Sequence, residues 1–388
     1  MKSNYKRLGD YIQPVDVRNV EDKRYDLLGV SVEKRFIPSI ANTVGTDWHS
    51  YKIIKKGQFC YIPDTSRRGE KIGIALLTDK EIGLVSAVYT VFEVVSNQLI
   101  PEYLMLWFKR AEFDRYARYH SHGSVREIFD WEEMCNVELP VPSIEEQKAI
   151  VNAYETIERR IELKRKINDN LEATAQATFE ELFADAYARE KLSDGWKQTT
   201  IGEICSVKGG KRLPADCELT DTPTNHPYIR VRDVGLNRYV CLNRQYQYID
   251  DATHNQISRY IVNTDDIIIS IVGTIGLIGK IHKSLNGANL TENCVRLTNI
   301  RLVSADYLYY TLMYKKQIKE IDLLTVGAVQ AKLPIYNIQS MRVVLPPREL
   351  LTDFQTTINT INKQVESNTV EIERLETLKQ AILTRLSR

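Results

Sequence analysis

No apolar run in these 388 residues approaches the ~20 residues that a membrane-spanning helix needs. The longest, residues 267–272, is broken by Ser270 and reads as a buried strand. The amino-terminal MKSNYKRLGDYI lacks the apolar core of a signal peptide, so the cytoplasm is the expected compartment. Cysteine is sparse and scattered: Cys60, Cys135, Cys205, Cys217, Cys241 and Cys294 form no C-x-x-C pair. That spacing argues against a zinc knuckle or a disulfide frame and for buried thiols. A dominant charge is also missing, since 52 Lys/Arg stand against 51 Asp/Glu. Any nucleic-acid contact must therefore come from local basic patches, not from bulk charge. The run Gly273 to Lys280 is not a phosphate loop: its glycines are one residue too far apart, and Ile281 stands where Ser/Thr must meet magnesium. It reads as strand, tight turn, strand. His120 and His122 alternate as two metal ligands on a strand would, yet no third ligand lies nearby, so no metal is expected.

What is present is a repeat. The composition, 43% hydrophobic and 27% charged, is globular, and the length implies two domains with connectors. Residues 139–182 and 345–386 align without a gap at a shift of 204, each a proline-punctuated exit from a strand followed by a long amphipathic helix. The globular stretches echo each other too. Ile201-Gly202-Glu203-Ile204 matches Leu8-Gly9-Asp10-Tyr11, the helix start at Ser304 to Leu308 matches the one at Pro101, and Gly327-Ala328-Val329-Gln330 matches Gly123-Ser124-Val125-Arg126. In the first copy the pattern predicts strands at 59–62 and 85–95 and an amphipathic helix from Pro101 to about Arg118. The copies differ most in their loops, where recognition usually resides.

The long helices carry a four-three spacing of core-type residues, the rhythm of a coiled-coil seam. In the first the seam includes Ile150, Tyr154, Ile157, Ile161, Lys164, Asn168, Leu171 and Leu182. In the second it includes Phe354, Ile358, Ile361, Val365, Asn368, Ile372, Leu375, Ile382 and Leu386. Ser143 with Glu146 makes a capping box, and Pro347 suits a first helical turn. About 40 helical residues form a rod of roughly 60 Å. A globular unit of that size, with a radius of about 15 Å, does not carry the chain back along such a rod, so the helices should pair antiparallel. That register sets Asn168 opposite Asn368, a polar layer able to pin alignment, and leaves Lys164 facing Ile372.

At this point the residues resemble a known family. Leu139-Pro140-Val141-Pro142 with Glu145-Glu146-Gln147, the turn Lys208-Gly209-Gly210-Lys211-Arg212-Leu213-Pro214, and Tyr228-Ile229-Arg230-Val231-Arg232-Asp233 are similar to the specificity subunit of type I restriction–modification enzymes. The likeness spans essentially the whole chain; Glu349-Leu350-Leu351 departs from the usual Glu-Glu-Gln. It implies an α+β architecture of two similar mixed α/β target-recognition domains separated by a pair of long antiparallel coiled-coil helices in pseudo-twofold relation. The segments would be residues 1–142, 143–190, 191–345 and 346–388. It implies a non-catalytic subunit reading a split, asymmetric DNA target, one half-site per domain. Partners would be double-stranded DNA, two modification subunits docked on the helices, and restriction/translocase subunits, with no membrane. No cofactor would be bound by this chain; S-adenosylmethionine and ATP would sit on the partners. An adenine methyltransferase's Asn/Asp-Pro-Pro-aromatic loop is indeed missing.

Candidate DNA contacts follow from residue type, because arginine pairs guanine and glutamine pairs adenine. They are Arg67, Arg68 and Arg126 in the first half, and Lys208, Lys211, Arg212, Arg230, Arg232, Gln330 and Lys332 in the second. Arg230 and Arg232 alternate, as residues on one strand face do. A competing reading is a non-enzymatic scaffolding adaptor whose duplicated domains bind protein.

Overall fold

The computed structural model describes residues 5–39, 47–65, 71–123, 127–235, 238–243, 246–327 and 331–386. Its helices in chain order are α1 (Pro101–Phe108), α2 (Ala111–Tyr119), α3 (Trp131–Asn136), α4 (Ile144–Ala188) and α5 (Ile201–Ile204). Then follow α6 (Asp251–Gln256), α7 (Ala305–Met313), α8 (Lys315–Leu324), α9 (Ile335–Ser340) and α10 (Arg348–Arg385). The single helix expected from Pro101 to Arg118 is two. α1 buries every residue from Tyr103 to Phe108, whereas α2 buries only Phe113, Asp114 and Ala117. One straight helix cannot be enclosed and half-exposed along its length, and an extended Arg110 breaks it.

Packing divides the chain into two compact units, residues 1–164 with 370–388, and residues 165–369. Both divisions fall inside α4 and α10. In the first unit the strands are β1 (Tyr5–Arg7), β2 (Ile12–Val15), β3 (Leu27–Val30), β4 (Phe36–Pro38) and β5 (Lys52–Lys55). They continue as β6 (Gln58–Tyr61), β7 (Ile74–Leu76), β8 (Ile82–Val85), β9 (Thr90–Val94) and β10 (Glu138–Pro140). Two four-stranded sheets result, ordered β2-β9-β6-β7 and β4-β3-β8-β5, while β1 pairs with β10. The strand expected at 85–95 is therefore split. A turn in which Tyr89 N–H donates to Ser86 C=O at 3.0 Å sends β8 and β9 into different sheets. Phe59 and Phe92 stack at 4.8 Å, with Phe108 of α1 edge-on to both. Each such ring contributes about 1.5–3 kcal/mol by leaving water.

The second unit holds β11 (Lys197–Thr200), β12 (Ser206–Gly209), β13 (His226–Ile229), β14 (Tyr239–Val240) and β15 (Gln247–Ile249). After these come β16 (Ile267–Ser270), β17 (Ile278–Ile281), β18 (Asn289–Leu290), β19 (Cys294–Thr298) and β20 (Arg342–Leu345). The sheets are β12-β19-β16-β17-β14, β15-β13-β18 and β11-β20. The run from Gly273 is the turn between β16 and β17, with Gly273 and Gly276 at φ of +80°. One tie recurs in both units. The Tyr103 hydroxyl donates to Pro140 C=O at 3.1 Å, and the Tyr307 hydroxyl to Val344 C=O at 2.6 Å, the second pair lying 204 residues after the first.

The ends of α4 and α10 are built into these cores. In the first unit Val151 and Tyr154 share a cluster with Leu383 and Leu386, and Ile150 and Ile382 flank it. There the Lys164 ammonium reaches Glu371 at 2.9 Å, and Arg160 also pairs with Glu371. In the second unit the Asn368 amide donates to Asn168 at 2.7 Å, and Phe179 and Phe183 lie 6.0 and 5.3 Å from the Phe354 ring. Within each unit, numbers that rise along α4 meet numbers that fall along α10. Ile161, Ile358, Ile361 and Val365 are buried, while Ile157, Leu171, Leu182, Ile372 and Leu375 are half-buried. Past Ala175 the buried line on α4 moves to Phe179, Phe183 and Tyr187. A straight helix drifts by about 20° per heptad against a seven-residue pattern, and the aromatic rings follow that drift. The capping box forms as expected: Glu146 N–H donates to Ser143 Oγ at 3.3 Å, and Ser143 N–H to the Glu146 carboxylate at 3.1 Å.

Candidate nucleic-acid interface

The turn after β12 is shaped by a close approach of two backbones. A Cβ on Gly210 would stand 2.0 Å from the Thr291 carbonyl, so only glycine fits. Gly210 N–H donates to Cys294 C=O at 3.0 Å and Lys211 N–H to Leu290 C=O at 2.8 Å. The Lys211 carbonyl accepts from the Tyr228 hydroxyl at 2.8 Å. This clamps the turn and leaves the next side chains outward. The Lys211 ammonium lies 6.0 Å over the Tyr260 ring. Arg212 is 81% exposed and pairs with Glu292 at 2.7 Å. Burial opposes ionisation of Glu292, but Arg212 and the Thr291 hydroxyl more than offset it, holding its carboxyl below the usual value.

Arg230 and Arg232 do not share a strand face. β13 ends at Ile229, and Val231–Asp233 is a short helical turn capped by Arg230, so strand alternation does not apply. Arg230 is largely buried, donating to Asp233 at 3.2 Å and to Gln247, whose amide in turn reaches Asp221 at 2.8 Å. Arg232 is 62% exposed, with Asp233 3.9 Å away. Lys208 projects from the edge strand β12, in register with Arg296. Lys332 is exposed at the closure of a loop.

That closure is repeated. Val326 and Lys332 exchange backbone hydrogen bonds of 2.8 and 2.9 Å around Gly327 at φ +100°. His122 and Ile128 exchange bonds of 3.1 and 2.9 Å around Gly123 at φ +134°. Arg126 and Gln330, placed within these loops by the sequence, lie outside the described residues, as do Arg67 and Arg68. His120 and His122 both lie near Glu133, at 3.2 and 3.5 Å, and among the described residues no group of metal-ligating side chains forms.

Sequence reasoning missed a buried charged cluster in the second unit. Arg238 donates to Tyr310 Oη at 2.8 Å, to Asn362 at 2.5 Å and to Asp306. Asp306 also accepts from Lys280 at 2.8 Å, Gln355 at 2.9 Å and Asn362 at 3.1 Å, and Tyr310 donates to Glu172 at 3.0 Å. Burial alone would raise the Asp306 carboxyl, but Lys280 and Arg238 bring it below its ordinary value, while burial keeps that of Glu172 above. No spacing in the sequence brings Arg238 to Asp306, so no signal marked the cluster.

A family model described as type I restriction modification DNA specificity domain matches residues 16–173 and again 193–383. The type I restriction enzyme HindI specificity subunit of Haemophilus influenzae is 22% identical over 417 aligned positions, covering 89% of each chain. The MjaIX specificity subunit of Methanocaldococcus jannaschii is 24% identical over 305, covering 76% of this chain and 69% of its own. Among solved structures, the S subunit of a type I restriction–modification system from M. genitalium superposes with a TM-score of 0.55 at 15% identity, covering 99% and 96% of the two chains.

Proposed function

Because this chain belongs to the type I restriction–modification DNA specificity family, we propose that each of its two compact units reads one half of a split, asymmetric target. The chain is a DNA sequence-recognition subunit and not the catalytic one; its partners are DNA and the other subunits of a restriction–modification complex. The observation that carries the two-half reading is the duplication itself, a common frame 204 residues apart with different basic residues on its loops. Similar frames with unlike loops favour unlike half-sites.

On this reading α4 and α10 form an antiparallel coiled coil that sets the spacing, and the units stand in pseudo-twofold relation. A helix of 45 residues rises about 68 Å at 1.5 Å per residue, enough to span half-sites one duplex turn or more apart. Two modification subunits dock on these helices and carry S-adenosylmethionine, and restriction subunits bring ATP-driven translocation. Arg212, Arg232, Lys208, Lys211 and Lys332 are the described contacts we favour for phosphate or base; Arg67, Arg68, Arg126 and Gln330 remain candidates by residue type. Arg230, tied to Asp233 and Gln247, shapes the turn that presents Arg232.

The test is exchange. Replacing residues 165–369 by those of a relative, in the assembled complex, should change one half of the methylated motif and leave the other. A motif altered in both halves, or no methylation dependent on this chain, would overturn the reading. Binding should also weaken steeply with salt, which a purely protein-binding scaffold would not do.

A further inference from the structure

Residue type offers no described DNA contact in the first unit, because Arg67, Arg68 and Arg126 lie outside the described residues. Topology supplies one. β2 and β12 are the edge strands of their sheets, antiparallel to β9 and β19. β3 pairs antiparallel with β4 and parallel with β8, and β13 does the same with β15 and β18. β5 pairs antiparallel with β8, and Ile261 bridges antiparallel to Asn289 of β18. Before each of these comes a short helical turn, Trp48–Ser50 in one unit and Ser258–Tyr260 in the other. The connection from β2 to β3 therefore corresponds to the connection from β12 to β13, which carries Lys211 and Arg212.

One construction recurs there. In the second unit the Lys211 ammonium lies 6.0 Å over the Tyr260 ring; in the first the Arg24 guanidinium lies 4.4 Å over the Trp48 ring. Each sets a cation of the connection on an aromatic ring of the helical turn. Both connections also cross to the second sheet, though onto different strands. Lys211 N–H donates to Leu290 C=O of β18, whereas Ile53 N–H of β5 donates to Val17 C=O at 2.8 Å.

The first unit's version is firmly held. Asn19 is fully buried, and its amide donates to Lys23 C=O at 3.0 Å and Trp48 C=O at 3.2 Å while accepting from Lys23 N–H at 3.0 Å. Arg18 donates to Ser50 C=O at 2.8 Å. On this frame Arg24 is 59% exposed, with Asp22 at 3.3 Å, and Val20 is 73% exposed. Residues 16–25 carry three acids against three bases, so the surface has no bulk attraction for phosphate. Its groups suit base edges instead. A guanidinium stacked flat on an indole presents its N–H fork to guanine O6 and N7, and an exposed valine suits a thymine methyl. The exposed pair with Asp22 is weak enough to exchange for a base.

We propose that the connection between β2 and β3 reads base edges in the first unit's half-site, with Arg24, braced on Trp48, contacting a guanine and Val20 supplying apolar contact. This deepens the half-site reading and rests on it.

The test uses the assembled complex with its modification subunits. Methylated sites are mapped in cells carrying the unaltered chain, Arg24→Ala or Arg24→Lys, and duplex binding is titrated at several salt concentrations. Lysine keeps the charge but not the fork, so both variants should relax one position in one half of the motif. Affinity for the original target should fall about ten-fold or more, with the salt slope unchanged. Trp48→Leu, which removes the ring beneath the guanidinium, should relax the same position. A loss uniform across sequences, with the slope reduced by about one, would make Arg24 a phosphate contact and overturn the base reading. Unchanged motif and affinity overturn the proposal, as does failed assembly with the motif intact, which would mark a protein contact. Exchange of residues 165–369 tests the half-site reading separately. If it alters one half of the motif while the Arg24 variants alter nothing, this proposal falls alone; if it alters neither half, both fall.

Discussion

Glu292 restrains Arg212, and the pair shows how basic residues are held on this protein. The guanidinium is 81% exposed but already has an anion at 2.7 Å, so a phosphate must compete for it. Glu292→Gln should therefore tighten non-specific duplex binding and steepen the salt slope by about one unit, measured by titrations at several salt concentrations. Unchanged slope would show that Arg212 stays off the backbone. Deeper in, Asp306 and Glu172 titrate in opposite senses. The folded value of Asp306 lies below the ordinary 3.8, so its stabilisation is complete above that pH and is lost as pH falls through the lowered value. Glu172 has a folded value raised above 4.5, so its contribution is full below 4.5 and is lost as pH rises through the raised value. Asp306→Asn should flatten a denaturation-midpoint profile below pH 3.8, and Glu172→Gln should lift its end above pH 4.5.

Elements differ in how plainly the sequence announces them. The seam of α4 and α10 is periodic, so its residues up to Ala175 on α4 and the facing of Asn168 and Asn368 can be reasoned from spacing alone. Replacing Asn368 by alanine leaves the partly buried Asn168 amide without its partner and should cost about 1–3 kcal/mol in urea denaturation. Leucine at both positions should restore stability while admitting other registers, visible as heterogeneous crosslinks. The break between α1 and α2 carries a weaker signal, the pair Lys109-Arg110 after the apolar run Tyr103 to Phe108, which a continuous helix also tolerates, so tertiary enclosure of α1 decides the kink. β14 is harder still. It is two residues long, with no alternation to read, and the arginine before it reaches partners 68 and 124 residues away. Residue type alone singled out the candidate DNA contacts, and it does not foresee that Arg230 turns inward, where a nearby Asp233 captures it and caps a turn.

Across the whole molecule, the last residues of the chain belong to the first unit's core. Leu383 and Leu386 are 5% and 6% exposed there, beside Val151 and Tyr154. Leu383→Ala or Leu386→Ala should cost about 2–5 kcal/mol, felt in the first unit. Hydrogen exchange should speed up around α1 and β6 and leave β16 and β19 protected. Equal loss of protection in both units would mean that they unfold as one. The closed loops at Gly123 and Gly327 have a consequence of another kind. Each is shut by a reciprocal pair of main-chain bonds, which any amino acid but proline can make. Closure therefore asks nothing of the side chains of His122, Ile128, Val326 and Lys332, which make it through their backbones. On the reading proposed above, a closure that survives substitution would let a lineage change what the subunit reads without first having to rescue folding.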